Sequence, residues 1–182
     1  MMIIPRKAFL TKGLGRHKDR LTSFEIALRE AGLSAYNLVY VSSIFPPYCE
    51  LIKREEGIKL LFPGQILFCV MSRNETNEPH RLIASSIGLA IPKDPSKYGY
   101  ISEHHSFGED ENVAGDYAED LAASMLASTL GITNFSIDES YDENQEQWRL
   151  REEIVLTTNI TQTAFGEYNL WTTTITCAVF IT

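Results

Sequence analysis

Cysteine and histidine are both scarce in this sequence of 182 residues. The three cysteines, Cys49, Cys69 and Cys177, are odd in number and widely spaced, which fits neither a disulfide framework nor a CxxC metal motif. The four histidines form no HExxH pattern and no other two-ligand helical spacing. We therefore expect buried free thiols and no metal site.

Long apolar runs and clustered basic residues are also missing. No apolar run approaches the roughly 20 residues of a membrane-spanning helix, and Pro5, Arg6 and Lys7 interrupt the N-terminal apolar stretch too early for a signal-peptide core. The 24 acidic residues outnumber the 16 basic ones, and the formal charge of -8 disfavours a nucleic-acid surface. We expect a cytoplasmic protein that binds neither membrane nor nucleic acid and accepts a cationic substrate.

The composition indicates one globular domain over residues 1–182, with 44% hydrophobic and 22% charged residues. The segment LTSFEIALREAG predicts a helix, in which Thr22 and Glu25 have capping-box spacing and Gly32 ends the run. Residues 113–131 predict a second helix, again stopped by glycine. The expected apolar faces are Phe24, Ala27, Leu28 and Ala31 on the first helix, and Val113, Tyr117, Leu121, Met125 and Leu126 on the second.

Seven further segments have the composition of strands: 3–10, 36–45, 65–72, 81–91, 98–103, 153–160 and 170–181. Many strands with two packed helices indicate an α+β fold. The polar, acidic run DESYDENQEQW at residues 138–148 is typical of an exposed loop.

One strand-like segment, NLVYVSSIFPP at residues 37–47, contains a serine pair that could react with its own backbone. Pro46 and Pro47 cannot continue a sheet ladder, so the chain just after Ser43 is stiff. In such a segment the Ser43 hydroxyl can attack the Ser42 carbonyl, β-elimination breaks the resulting ester, and the dehydroalanine left behind hydrolyses to a pyruvoyl group. This reaction needs enforced geometry and donors aimed at the developing oxyanion.

A second serine pair acts as an internal control. Ser85 and Ser86 lie inside LIASSIGLAIP, where small residues packed in a strand explain them, so we assign them a structural role. A serine pair alone is a weak signal, and the following prolines distinguish Ser42 and Ser43.

The run AGLSAYNLVYVSSIFPP resembles the cleavage segment of the pyruvoyl-dependent arginine decarboxylases. The later run GLAIPKDPSKYGYISEHHSFG resembles that family's second signature, an IPKD motif followed by a glycine and a strand ending in the catalytic glutamate. The resemblance extends from about Leu21 to the C-terminus. It implies an αββα four-layer sandwich and a homotrimer or dimer of trimers with active sites between subunits.

The resemblance also implies roles for individual residues. Ser43 matches the serine that becomes pyruvoyl, and Ser42 the new C-terminus, so the chain would separate into residues 1–42 and 43–182. Asn37 matches an asparagine near the scissile carbonyl, and Glu103 matches the catalytic acid. The cofactor would be the pyruvoyl group of Ser43, with no metal and no pyridoxal phosphate.

The chemistry is consistent with these residue types. A pyruvoyl ketone withdraws electrons from a bound amino acid as carbon dioxide leaves. A carboxylic acid such as Glu103 can then supply a proton if desolvation keeps it protonated near neutral pH. A triad of Ser43 with His104 or His105 is disfavoured, because GxSxG is absent and the family pattern requires no histidine there.

Substrate recognition rests on Glu25, which stands where the family has an aspartate one methylene shorter. A carboxylate binds the guanidinium of arginine through paired charge-assisted hydrogen bonds, although Glu25 also suits a capping box with Thr22. Leu21, Leu28 and Tyr36 match pocket-wall positions that core packing would equally explain. The expected activity is decarboxylation of arginine to agmatine, a polyamine precursor, and two alternatives stay open: another amino-acid substrate, and an uncleaved non-catalytic homologue.

Overall fold

A computed structural model describes residues 3–131 and 154–182, apart from the side chains of Ile154 and Val155. The elements in chain order are β1 (Lys7–His17), α1 (Arg20–Glu30), β2 (Asn37–Tyr40), β3 (Ile44–Phe45), β4 (Glu50–Leu51), α2 (Arg54–Lys59), β5 (Ile66–Thr76), β6 (Leu82–Pro92), β7 (Gly99–Phe107), α3 (Glu111–Thr129), β8 (Ile154–Phe165) and β9 (Trp171–Ile181). The α+β class is confirmed. The acidic run at 138–148 lies outside the described residues.

The strands form two sheets. Sheet A is mixed and has the order β2-β5-β9-β1-β4, with β2 parallel to β5, β4 parallel to β1, and β9 antiparallel to both of its neighbours. Sheet B is antiparallel and has the order β3-β7-β6-β8. The consecutive strands β2 and β3 therefore lie at the edges of different sheets.

Three hydrophobic clusters hold the layers together. One lies between α1 and sheet A and contains Phe9, Ala27 and Cys177. The second joins the facing surfaces of sheets A and B through residues such as Val70 and Ile101. The third joins sheet B to α3. The order of packing contacts is helix, sheet, sheet, helix.

Strand β1 continues seven residues beyond the predicted end at Leu10, because Gly13 and Gly15 belong to the strand. A Cβ at Gly13 would lie 2.1 Å from the Ala27 carbonyl oxygen, and one at Gly15 would lie 1.9 Å from that of Ser23. The glycines thus let the backbone of α1 approach the sheet closely. The short elements β4 and α2 were not predicted.

Helix α3 begins and ends near the predicted positions, but its predicted apolar face is only partly right: Leu126 is buried and Leu121 and Met125 are partly buried. Val113 and Tyr117 are 53% and 45% exposed, whereas the buried face consists mostly of small residues: Ala114, Gly115, Ala118, Ala122, Ala123, Leu126 and Ala127. A Cβ at Gly88 of β6 would lie 2.0 Å from the Ala118 carbonyl oxygen. Close backbone contact, rather than large side chains, attaches α3 to sheet B.

The predicted capping box of the first helix is also wrong. Helix α1 begins at Arg20, and its N-cap is Asp19, whose carboxylate accepts a hydrogen bond from the Thr22 N–H at 2.8 Å. Thr22 is therefore already inside the helix. The predicted end is confirmed, since Gly32 follows the helix with a φ of +78°.

Two smaller predictions concern buried groups. Cys69 and Cys177 are buried free thiols as predicted, while Cys49 is only partly buried. Ser85 and Ser86 are fully buried and hydrogen-bonded to Thr174 and Thr161, which confirms a structural role. Within residues 3–131 and 154–182, no helix is long and apolar enough to cross a membrane.

Candidate active site

The Ser42–Ser43 bond lies where the chain passes from one sheet to the other. On one side, the Val41 N–H donates to the Cys69 carbonyl of sheet A at 3.0 Å; on the other, the Ser43 carbonyl accepts from the Ile101 N–H of sheet B at 2.8 Å. The single strand predicted at 36–45 is therefore two strands. Ser42 is exposed and Ser43 partly buried, so the bond is anchored on both sides yet open to solvent.

The backbone at this crossing makes a tight turn. The Ile44 N–H donates to the Ser42 carbonyl oxygen at 2.9 Å, a hydrogen bond between residues two apart. The φ of Ser43 is not positive, so the turn is an inverse γ-turn, a form common at strand ends. The carbonyl that the Ser43 hydroxyl would attack thus already accepts a backbone hydrogen bond.

The two family-like motifs meet around this turn. The Tyr48 N–H, just after Pro46 and Pro47, donates to the Pro95 carbonyl oxygen of the second motif at 2.9 Å. Strand β3 pairs with β7, Phe45 lying opposite Gly99. The first motif is therefore held against the second on both sides of the proline pair.

Glu103 lies on β7, the strand that holds the Ser43 backbone. Ile101 packs between the sheets, and because side chains alternate along a strand, Glu103, two residues further on, points to that same face of sheet B. Ser43 pairs with Ile101, so Glu103 is about 7 Å further along β7.

The environment of Glu103 suits a proton donor. Burial raises the pKa of the Glu103 carboxyl above 4.5, and the charge of His105 partly opposes this shift. The residue is nevertheless exposed at the surface, so the surrounding protein removes water from only part of the carboxyl.

His104 is directed away from the serine pair. Its Nε2 lies 2.8 Å from a carboxylate oxygen of Glu109, and its ring centroid lies 4.5 Å from that of Tyr117 on α3. Strand alternation places it on the face opposite to Glu103. The geometry therefore gives no support to a triad of Ser43 with His104.

Asn37 does not reach the scissile carbonyl of its own chain. Its amide Nδ2 donates to the Gly64 carbonyl oxygen at 2.9 Å. It begins β2, and five residues at about 3.3 Å each separate it from Ser42. Within one chain, Asn37 supports the loop before β5, so a role beside the scissile carbonyl stays a prediction.

Glu25 is paired with a neighbour on its own helix. Both of its carboxylate oxygens accept hydrogen bonds from Nη2 of Arg29 at 2.8 Å, an i,i+4 pair. Helix α1 packs on the face of sheet A that is directed away from sheet B, whereas Ser43 lies where the chain has crossed to sheet B. Sheet A therefore separates Glu25 from Ser43 within one chain.

The expected pocket-wall residues divide into two groups. Leu28 and Tyr36 pack against the cluster between α1 and sheet A, so core packing accounts for them. Leu21 is 72% exposed and contributes little to that core, which leaves it free to contact another molecule.

Two residues near the expected site were missed from the sequence. Tyr40 lies three residues before Ser43, and partial burial raises the pKa of its phenol, with smaller contributions from Cys69, Cys177 and Glu103. Arg29 holds Glu25, as its spacing of four residues on a helix could have indicated. No sequence pattern identified Tyr40, because its position depends on the crossing between the sheets.

Comparisons with known proteins identify the family of this chain. The family model described as "Pyruvoyl-dependent arginine decarboxylase" matches residues 7–182. A "Probable pyruvoyl-dependent arginine decarboxylase" of Chlorobium phaeovibrioides is 59% identical over all of this chain and 99% of its own length. A "Pyruvoyl-dependent arginine decarboxylase 2" of Methanosarcina acetivorans is 58% identical over 99% of this chain and 98% of its own length. A relative in Chloroherpeton thalassium is 56% identical over the full length of both chains.

Proposed function

Because this chain belongs to the pyruvoyl-dependent arginine decarboxylase family, we propose that it cleaves itself between Ser42 and Ser43 and then decarboxylates L-arginine to agmatine. The observation that carries the proposal is the place of the Ser42–Ser43 bond. It lies in an anchored, solvent-open crossing between two sheets, next to a carboxyl whose pKa is raised.

The residues present fit a pyruvoyl group made from Ser43. After cleavage, Ser43 would be the first residue before β3, and the hydrogen bond from Ile101 to its carbonyl would still hold it. The Val41 N–H bond to Cys69 would hold the other end. Both new ends would thus stay in place after the backbone is cut.

The two fragments would also stay associated. Residues 1–42 contribute β1, which pairs with β9 from Lys7 to His17 near the middle of sheet A. Arg54, in the second fragment, donates to Thr11 Oγ1 and to the Glu30 carbonyl oxygen in the first, each at 3.0 Å. We expect one folded unit of two chains.

The proposed cleavage has three steps: an acyl shift, a β-elimination and a hydrolysis. The Ser43 Oγ forms a bond with the Ser42 carbonyl carbon, the Ser42–Ser43 C–N bond breaks, and the hydroxyl proton moves to the released nitrogen. Loss of the Ser43 Cα proton then breaks the Cβ–O bond and frees the Ser42 carboxylate. Water hydrolyses the remaining dehydroalanine, releasing ammonia and leaving a pyruvoyl group.

Turnover then depends on the residues around that group. The pyruvoyl group supplies an electron-withdrawing carbonyl for decarboxylation. Glu103, on the strand that holds the Ser43 backbone, donates the proton that replaces the lost carboxyl group, and its raised pKa keeps it protonated at higher pH than an ordinary glutamate.

Assembly would bring Glu25 to the active site. Since sheet A separates Glu25 from Ser43 in one chain, we propose that Glu25 of one subunit binds the guanidinium of a substrate held at Ser43 of another, in a homotrimer or a dimer of trimers. Asn37 would likewise approach the scissile carbonyl of another subunit. There its side-chain amide would donate a second hydrogen bond to the Ser42 carbonyl oxygen, in addition to the bond from the Ile44 N–H of that subunit.

The two sides of the molecule support this assembly. On the side formed by β2 and β3, three large apolar side chains are exposed: Tyr40 by 59%, Ile44 by 41% and Ile66 by 60%. Neighbouring exposed apolar side chains of this kind mark surfaces that bind another protein subunit. On the opposite side, Lys12 donates to the Thr161 carbonyl of β8 at 2.7 Å. A charged side chain there protects an open sheet edge against pairing.

A decarboxylation assay tests the proposal. The purified protein should release carbon dioxide and agmatine from arginine without added pyridoxal phosphate, and Ser43→Ala should fold but remain uncleaved and inactive. Arginine should be preferred to lysine and ornithine at equal concentration, because neither offers a planar guanidinium. Activity of Ser43→Ala, or a preference for another amino acid, would contradict this assignment.

A further inference from the structure

Self-cleavage requires a donor for the negative charge that develops on the Ser42 carbonyl oxygen. A serine hydroxyl is a weak nucleophile, and a preorganised donor to the developing oxyanion is among the largest contributions to such reactions. The Asn37 amide of the same chain is engaged with Gly64. The scissile carbonyl nevertheless has a donor within its own turn.

We propose that the backbone N–H of Ile44 is the oxyanion donor for self-cleavage, acting on the Ser42 carbonyl oxygen across the inverse γ-turn at Ser43. The inference rests on the proposed cleavage at Ser42–Ser43. The Ile44 nitrogen already lies 2.9 Å from the Ser42 carbonyl oxygen in the uncleaved chain, an ordinary hydrogen-bond distance, so this donor is in place as the carbonyl becomes an oxyanion.

The pairing of β3 with β7 does not use the Ile44 N–H. The Ser43 carbonyl faces β7, where it accepts from the Ile101 N–H. Backbone groups on successive residues of an antiparallel strand alternate in direction, so the Ile44 N–H points away from β7. Among residues 3–131 and 154–182, no strand pairs with β3 on that side, so this N–H makes no ladder hydrogen bond there that the reaction would have to break.

The neighbouring chain keeps the turn in place. Phe45 is buried between the sheets, Pro46 and Pro47 restrict the backbone that follows, and Tyr48 is attached to Pro95. The donor is therefore fixed before the reaction begins, which is the condition for effective electrostatic stabilisation. This gives the proline pair a chemical role beyond ending the strand.

The step that this donor accelerates is the first one. As the Ser43 Oγ adds to the Ser42 carbonyl carbon, the C=O electron pair moves to the oxygen, and the Ile44 N–H stabilises that charge. The later β-elimination starts from an ester and removes a proton from Ser43, so it depends less on this donor. The identity of the Ile44 side chain is not required by the mechanism.

Replacing the amide with an ester tests the proposal. Cell-free synthesis would incorporate the α-hydroxy acid counterpart of isoleucine at position 44, which removes the N–H and keeps the side chain. The matched control is the same replacement at Val41, whose N–H donates to Cys69 in the same segment but not to the scissile carbonyl. Conversion of the full chain to fragments is followed by intact mass.

The ester at position 44 should slow cleavage by about 10²–10³-fold, the effect of losing one oxyanion donor. The ester at Val41 should slow it by no more than about tenfold, since an ordinary backbone hydrogen bond contributes about 0.5–1.5 kcal/mol. Ile44→Val retains the N–H and should cleave at nearly the parental rate, whereas Ile44→Pro should not cleave.

The outcomes separate the inference from the function beneath it. If the unmodified chain does not cleave, the proposed function is wrong. If it cleaves and the position-44 ester cleaves equally fast, or the two esters are equally slow, the Ile44 N–H is not the donor. Thermal unfolding of each variant shows whether a slow variant is folded, and a folded Ile44→Pro that cleaves at the parental rate would also refute the proposal.

Discussion

Replacement of Glu103 by glutamine should change activity and stability in opposite directions. Glutamine preserves the size of the side chain but has no acidic proton to donate. Because Glu103 lies on the strand that holds Ser43 and has a raised pKa, we expect Glu103→Gln to lower kcat by about 10²–10⁴-fold, the range for one lost general acid. Self-cleavage should still occur, since Glu103 has no part in the acyl shift.

The stability effect follows from the raised pKa. Well below pH 4.5 the Glu103 carboxyl is protonated in both the folded and the unfolded state, so its burial does not lower the stability there. As pH rises past 4.5 the unfolded carboxyl ionises first, so stability is lost until pH exceeds the raised pKa of the folded state. Glutamine removes this loss. Glu103→Gln should therefore unfold at a higher temperature than the parent at pH 7, but not at pH 4.

Glu109, on the loop after β7, provides a control with the opposite sign. Its hydrogen bond with His104 lowers the pKa of its carboxyl below 4.5. The stability that Glu109 provides is thus present above pH 4.5 and lost as pH falls through its lowered pKa. Glu109→Gln should unfold at a lower temperature than the parent at pH 7 and leave kcat close to the parental value.

Thermal unfolding at pH 4 and pH 7, with agmatine release measured on the same preparations, tests both variants. Normal turnover by cleaved Glu103→Gln would remove Glu103 from the mechanism. A lower unfolding temperature for Glu103→Gln at pH 7 would show that burial of the carboxyl does not raise its pKa as described.

Three further predictions concern binding and packing. Glu25→Gln should raise the KM for arginine by about 10- to 150-fold, as a charge-assisted hydrogen bond contributes about 1.5–3 kcal/mol, while Glu25→Asp should cause a modest loss; unchanged KM values would return Glu25 to a structural role. Arg29 competes with the substrate for the Glu25 carboxylate, so Arg29→Gln should lower the KM for arginine. The change should be about twofold, because an exposed i,i+4 pair contributes only about 0.3–0.5 kcal/mol; a raised KM would show that Arg29 assists binding. Gly88→Ala should cost about 1–3 kcal/mol of unfolding free energy in urea, since its Cβ would lie 2.0 Å from the Ala118 oxygen; parental stability would refute this close contact.

The sequence predicted the elements that depend on local pattern. The two long helices, the α+β class and the structural serines Ser85 and Ser86 were recognised because periodicity, helix-ending glycines and small strand residues are local features. The helix start was misplaced because Asp19 competes with Thr22 for the same capping role, and only the backbone dihedral angles decide between them.

The sequence failed where tertiary contacts override local pattern. An apolar pattern on α3 predicted large core residues, but alanines face sheet B because Gly88 permits close approach. In the candidate site too, some residues could be predicted from local motifs and others depend on tertiary structure. Motifs identified Ser43 and Glu103, whereas the crossing between sheets, the Ile44 donor and the Glu25–Arg29 pair depend on where the backbone goes.

The most direct test of this account is the intact mass of freshly purified protein under denaturing conditions. The account predicts two fragments, residues 1–42 and residues 43–182, the larger beginning with a pyruvoyl group and no free amine. A single uncut chain of 182 residues after prolonged incubation, or a larger fragment that begins with an unmodified Ser43, would contradict it.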